Sequence, residues 1–314
     1  MKKWLLAIFA ITVLFVLAAC GAEEEANEAS VAGAETETLT IEHKLGEATF
    51  EQNPEKVVVF DFGVLDTLDA LEVEVAGVPQ MLIPEYLEKY NGEEYTNAGS
   101  LKEPDFEAIH ALDPDLIIIS ARQAELYEEF TDIAPTLYVE LDTANYMESF
   151  ESNMTLLGEV FGKEAEVEEQ LAAIDSRIAE VQELAAASEE KALVVLANEG
   201  KVSAYGPASR FGWIHDVLGV AAVDESIEVS THGQSITFEY ILERNPDTLF
   251  VIDRTAAVGG EIGAKETIEN ELVKKTNAYQ NDGIVYLDPD FWYLSGGGLQ
   301  SVSQMVEDVA SAIQ

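Results

Sequence analysis

The stretch FEAIHALDPDLIIISAR (106–122) returns later in the chain as FEYILERNPDTLFVIDR (238–254). Both copies begin Phe-Glu, carry Pro-Asp at the same offset, run into a short apolar stretch and finish on arginine. FEAIHAL and FEYILER read as helices. Pro114 and Pro246 stop them, because proline disfavours helix in the residue before it. DLIIIS (115–120) and TLFVID (248–253) are short and continuously apolar, as strands buried on both faces are. The similarity argues for two lobes of one plan. It also places Arg122 and Arg254 just past the C-terminal ends of equivalent strands, where open α/β sheets bind their ligands. Two such lobes facing each other would turn both arginines into one cleft.

The same alternation extends to either side. KVVVF (56–60) is a strand, VLDTLDALEV (64–73) a helix and VAGVP (75–79) a strand. KALVVLA (191–197) restarts the pattern, followed by a helix over FGWIHDVLGV (211–220), a strand at GIVYL (283–287) and a closing helix from about Leu299. The expected fold class is α/β: two Rossmann-like lobes with parallel-type sheets covered on both faces. Between them, residues 163–188 contain no glycine or proline. Val167, Leu171, Ile174, Ile178 and Val181 step by four and three along one helical face. Such a helix spans on the order of 35–40 Å. A coiled-coil dimer is the alternative, but flanking globular sequence favours an interdomain strut in a monomer. The expected division is an N-terminal lobe (39–162), the helix (163–188) and a C-terminal lobe (189–314).

The first residues set the expected compartment. Lys2 and Lys3 precede an apolar run from Trp4 to Ala19, short for a membrane span and apt for a signal peptide over 1–19. Leu17-Ala18-Ala19-Cys20 has the pattern of a lipobox, in which the chain's one cysteine becomes a lipidated N-terminus. Residues 20–38 are rich in Ala, Glu, Gly, Ser and Thr and read as an acidic tether. The expected location is the extracytoplasmic face of the cell membrane, anchored through Cys20.

The formal net charge is −43, from 60 acidic and 17 basic side chains. That excludes nucleic acid as a partner and makes each arginine informative. There are five. Arg177 and Arg244 fall within helices and read as solvated. Arg210 lies in YGPASRFG (205–212), a turn entering a helix, where its charge adds to the anion-attracting dipole. The competing reading of any of these arginines is a salt bridge to a neighbouring carboxylate. His232, in the polar loop STHGQS (230–235), can present a ring nitrogen to a ligand or metal. His110 and His215 read as satisfied at a core edge, and His43 lies on an N-terminal strand without evident purpose. In DFWYLSGGG (290–298), Trp292 reads as packing, Tyr293 as a hard anionic donor suited to Fe³⁺, and the glycines as a flexible turn. Asp61-Phe62-Gly63 lacks every other kinase element. No nucleophile elbow, zinc-type spacing or Walker A is present, so no catalytic residue is assigned.

Together, VVVFDFGVLDTLDAL (57–71), AGSLKEPDFEAIHALDPDLIIISAR (98–122), GPASRFGWIHDVLGV (206–220), THGQSI (231–236), FVIDR (250–254) and FWYLSGGGLQS (291–301) carry a specific resemblance. From about Ile41 onward the chain resembles the class III substrate-binding lipoproteins of iron–siderophore ABC importers, especially those for catecholates of the enterobactin and petrobactin type. The resemblance implies two α/β lobes joined by one rigid helix around a shallow cleft. It implies that Arg122, Arg210 and Arg254 neutralise a ferric catecholate, and that His232 and Tyr293 complete the iron shell when a siderophore offers too few oxygens. Iron is then cargo and no intrinsic cofactor is expected; an ABC permease is the implied partner, its basic loops docking acidic patches on both lobes. The charges agree: a ferric tris-catecholate carries about −3, and each close guanidinium contributes up to roughly 4 kcal/mol of gross attraction before desolvation. The remaining acidic surface is screened beyond about 8 Å at physiological salt. The same fold with haem, cobalamin or a hydroxamate siderophore is the alternative, although an uncharged hydroxamate complex has no need of three arginines. A hydrolase using His232 is more remote.

Overall fold

The computed structural model describes residues 37–313. The signal peptide, Cys20 and the tether as far as residue 36 lie outside the described residues. Thr38, assigned to the tether, is instead the first residue of a strand. Strands β1 (Thr38–His43) and β2 (Gly46–Glu51) form an antiparallel hairpin. His43, which had no evident purpose, fastens this hairpin to the N-terminal lobe. Its Nδ1 accepts from the Leu45 amide, so Nε2 donates to the Thr136 carbonyl at 3.1 Å.

The first lobe holds β3 (Val57–Val59), β4 (Gly77–Val78), β5 (Thr96–Asn97), β6 (Leu116–Ile119) and β7 (Thr136–Tyr138) in a wholly parallel sheet of order β5-β4-β3-β6-β7. The second holds β8 (Ala192–Asn198), β9 (Lys201–Tyr205), β10 (Gln234–Ile236), β11 (Thr248–Asp253) and β12 (Ile284–Leu287), in the order β10-β9-β8-β11-β12. Here the β8–β11 and β11–β12 pairings are parallel, and β9 alone runs against the rest, antiparallel to both β8 and β10. The cause is a tight turn at Glu199-Gly200. Both residues have positive φ (49° and 76°), as a two-residue hairpin turn of the primed type requires.

The repeat holds at atomic detail. The helices Phe106–Leu112 and Phe238–Arg244 are capped at their starts by Asp105 and Thr237 and end on Asp113 and Asn245, both left-handed. Asn and Asp tolerate that conformation better than other side chains. Pro-Asp follows, and the amides of Asp115 and Asp247 donate to the carbonyls of Lys56 and Lys191, each at 2.9 Å. These bonds set β6 beside β3 and β11 beside β8.

The long helix runs Glu164–Ala187, about 36 Å at 1.5 Å per residue, and buries Val167, Ile174, Ile178, Val181 and Ala185. The helix expected over 211–220 is cut to Trp213–Asp216. A Cβ on Gly212 would strike the backbone of the 206–209 turn, and Gly219 takes φ 74°. Phe211, Ile214 and Leu218 are buried all the same.

After β12 the chain crosses back. The helix Leu299–Ala312 packs on the long helix and on the N-terminal-lobe helix Phe62–Ala70. Asp66, fully buried, accepts from the amides of Gln300 and Ser301 at 2.7 and 2.8 Å and from the Tyr86 hydroxyl at 2.7 Å. Burial pushes this carboxyl up to about 6. The glycines 296–298 form a packed crossing instead of a flexible turn: a Cβ on Gly63 would stand 2.6 Å from the Ser295 carbonyl, and Gly298 is buried against Gly63 and Asp66.

Candidate ligand-binding site

Arg254 opens the short helix that directly follows β11, and Arg122 is the second residue of the 3-10 turn Ala121–Leu126 after β6. Both stand where the repeat predicts. The turn under Arg122 is held by its own start: the Gln123 side chain accepts from the Ser120 amide at 3.2 Å and donates to the Leu101 carbonyl at 2.6 Å. Arg122 itself is exposed and has no hydrogen-bond partner among the described residues.

Arg210 and Arg254 are half-buried and share Tyr293. The Arg210 guanidinium lies 4.6 Å from the Tyr293 ring centroid and 4.9 Å from that of Phe211, and it donates to the Tyr293 carbonyl at 3.0 Å. Arg254 Nε donates to the Tyr293 hydroxyl oxygen at 2.9 Å, and its Nη1 to Asn198 Oδ1 at 2.8 Å. Stacking on aromatic faces and forked donation suit guanidinium and not ammonium. Burial, and the like charge of Arg122, lower the Arg210 pKa, with Tyr293 opposing them. Arg210 remains cationic at neutral pH.

Tyr293 sits in a single π-helical turn, Asp290–Ser295. Such turns re-aim side chains and recur at functional sites. Here Trp292 points inward, 1% exposed, donating through Nε1 to Asp308 at 2.8 Å, while Phe291 stacks on Tyr86 of the other lobe at 4.3 Å. Tyr293 is left facing the arginines.

His232 is exposed on the bend before β10; its amide donates to Ser230 Oγ at 3.2 Å, and its ring is unpartnered among the described residues. Gly233 beside it has φ 73° and lies so close to Tyr205 that a Cβ would stand 2.7 Å from the ring. Tyr205 in turn feels the charges of Arg210, Tyr293 and Arg254. So the C-terminal lobe gathers Arg210 and Arg254 around Tyr293, and the His232 loop abuts the Tyr205 ring.

Among the described residues no carboxylate pairs with Arg122, Arg210 or Arg254. Nearby acids are engaged elsewhere: Asp61 and Asp253 cap helices, and Asp290 accepts from the Glu85 amide at 2.6 Å. The other two arginines are not free in solvent as expected. Arg177 clamps Glu307 at 2.7 and 2.9 Å, and Arg244 meets Asp224 at 2.6 Å. His215 is satisfied at a core edge through the Val220 carbonyl at 2.8 Å, whereas His110 is exposed. Tyr205 and Asn198 were missed in sequence; the polar Asn198 ending an otherwise apolar strand was the one local signal.

Two α/β lobes, a crossing helix and unpaired cations at the strand ends define an extracytoplasmic-type solute-binding protein. The periplasmic binding protein family model matches residues 57–291, and the chain belongs to that family. It is 49% identical to the petrobactin-binding protein YclQ of Bacillus subtilis (strain 168), covering all of both chains. It is 36% identical to the ferric-anguibactin-binding protein FatB of Vibrio anguillarum, over 88% of each. The crystal structure of Bacillus subtilis YclQ superimposes with a TM-score of 0.86 at 51% identity, covering 88% of this chain and 99% of that one. The catecholate-siderophore binding protein VctP of Vibrio cholerae gives 0.82 at 39% identity, over 88% and 100%. The family consists of solute-binding proteins and not of enzymes, which removes the hydrolase reading.

Proposed function

We propose that this chain is the lipid-anchored extracytoplasmic receptor of an iron importer, binding a ferric catecholate siderophore and passing it to an ABC permease. One observation supports this reading: Arg122, Arg210 and Arg254, carried by two lobes of like plan, pair with no carboxylate among the described residues of a chain of net charge −43. A trianionic chelate supplies the missing counter-charge. Arg210 and Arg254 hold it from one side, and Arg122 approaches from the other lobe. Tyr293 and His232 offer oxygen and imidazole donors to iron whose chelator leaves positions open, so iron enters as cargo. Arginine-rich recognition favours this class over haem, cobalamin or neutral hydroxamates. Anchoring rests on Cys20, and the receptor acts as a monomer.

Trp213 and Trp292 stack at 5.5 Å and adjoin the site through Arg210 and Tyr293, so intrinsic fluorescence reports occupancy. Titration with ferric petrobactin should give saturable quenching in the nanomolar range, with none from iron-free siderophore, ferric hydroxamate or haem. Indifference to ferric catecholates ends the proposal.

A further inference from the structure

Tyr205 is 2% exposed, its ring fixed edge-on against Phe211 at 4.7 Å and closed in by Gly233. Three other tyrosines, half-buried or buried, give their hydroxyl proton to a carboxylate: Tyr86 to Asp66 at 2.7 Å, Tyr90 to Asp69 at 3.0 Å and Tyr240 to Asp224 at 2.7 Å. Tyr205 has no such partner among the described residues. Nor is its hydroxyl sealed in, as the unpartnered Tyr146 hydroxyl and Trp213 Nε1 are. Its ring abuts Phe211, which carries the Arg210 guanidinium at 4.9 Å, and the charges of Arg210, Tyr293 and Arg254 act on it. A donor held rigidly on a buried ring is satisfied in nearly every folded protein. In this position only solvent or a ligand can do so.

We infer that the Tyr205 hydroxyl is a further binding group of the site, donating a hydrogen bond to an anionic oxygen of the bound chelate; this rests on the function proposed above. The acceptor missing from the protein is the kind that a catecholate ligand brings. Burial pushes the Tyr205 phenol up to about 12, with Arg210 opposing, so it keeps its proton at physiological pH and serves as a donor. The ring also backs Gly233, so its hydroxyl and the His232 loop approach the ligand from adjoining directions.

Tyr205→Phe removes the hydroxyl and keeps the ring. Ferric petrobactin binding, followed by tryptophan fluorescence, should weaken about tenfold, the usual scale for a hydrogen bond to a charged acceptor. The thermal midpoint of the unliganded protein should not change. The loss should persist when the substitution is made in a His232→Ala background, because a direct contact does not act through the loop. Equal affinity of Tyr205→Phe and wild type, or a loss that vanishes without His232, overturns the inference alone. A wild type indifferent to ferric petrobactin removes the functional reading beneath it.

Discussion

The two lobes differ in how they hold their candidate binding arginines. On the C-terminal side, Arg210 and Arg254 are immobilised before any ligand arrives, by Tyr293, Phe211 and Asn198. On the N-terminal side, Arg122 stands alone and exposed on a turn whose backbone is fixed but whose guanidinium is not. Ordering a long side chain on binding costs about 0.5–1.5 kcal/mol, so equal charges need not contribute equally. In the proposed receptor the C-terminal half would capture and the N-terminal half would adjust. That division suits a receptor that must also let go.

The comparison breaks most easily at its rigid end. Arg254→Ala should weaken ferric catecholate binding about a hundredfold. It removes one charge-assisted donor set and also releases the Tyr293 hydroxyl from its 2.9 Å bond. Arg210→Ala should act similarly through the Tyr293 carbonyl and ring. Isothermal titration of each variant checks this; a change below threefold for both would mean that preorganisation has no part in affinity. Arg122→Ala should cost only about tenfold, and its penalty should shrink as salt rises from low to physiological ionic strength, since an exposed charge is screened over about 8–10 Å. A penalty for Arg122 as large and as salt-insensitive as that for Arg254 would erase the distinction between the halves.

The legible parts of this molecule are those encoded locally. Helix, left-handed cap, Pro-Asp and strand follow one another within FEAIHALDPDLIIIS and its copy, so Arg122 and Arg254 could be placed before any coordinates. His232 stood out as a loop histidine between small residues, and Tyr293 as a phenol in an aromatic cluster before a glycine turn. What escaped depends on chain segments far apart in sequence. Arg177 and Glu307 are 130 residues apart, and nothing near Arg177 foretells the clamp. The return of the C-terminal helix to Asp66, and the crossing of Gly298 over Gly63, leave only glycines whose need for space is invisible until both backbones are placed. The β8–β9 hairpin was hidden for another reason: Glu-Gly is a weaker turn signal than Asn-Gly, although KVSA (201–204) alternates more and less exposed residues as an antiparallel strand does.

Arg244 supplies the smallest and sharpest contrast, because it has what Arg122 lacks. It sits in the last turn of its helix with Asp224 at 2.6 Å and the Tyr240 ring at 4.8 Å. Arg244→Ala should therefore leave siderophore affinity unchanged and lower the thermal midpoint slightly, by about 2 °C or less for a partly exposed pair. The pH dependence has a definite sign. Hydrogen bonds from Ser226 and Tyr240, and then Arg244, hold the Asp224 carboxyl well below the usual carboxylate range. A carboxylate depressed in the folded state stabilises it above the unfolded pKa, and that stabilisation drains away as pH falls through the folded value. The difference in midpoint between wild type and Arg244→Ala should thus be full at neutral pH and narrow only in strong acid, below the ordinary pKa of aspartate. A gap that opened toward acid, or any loss of ligand affinity in Arg244→Ala, would show that paired and unpaired arginines are not divided between stability and binding in this protein.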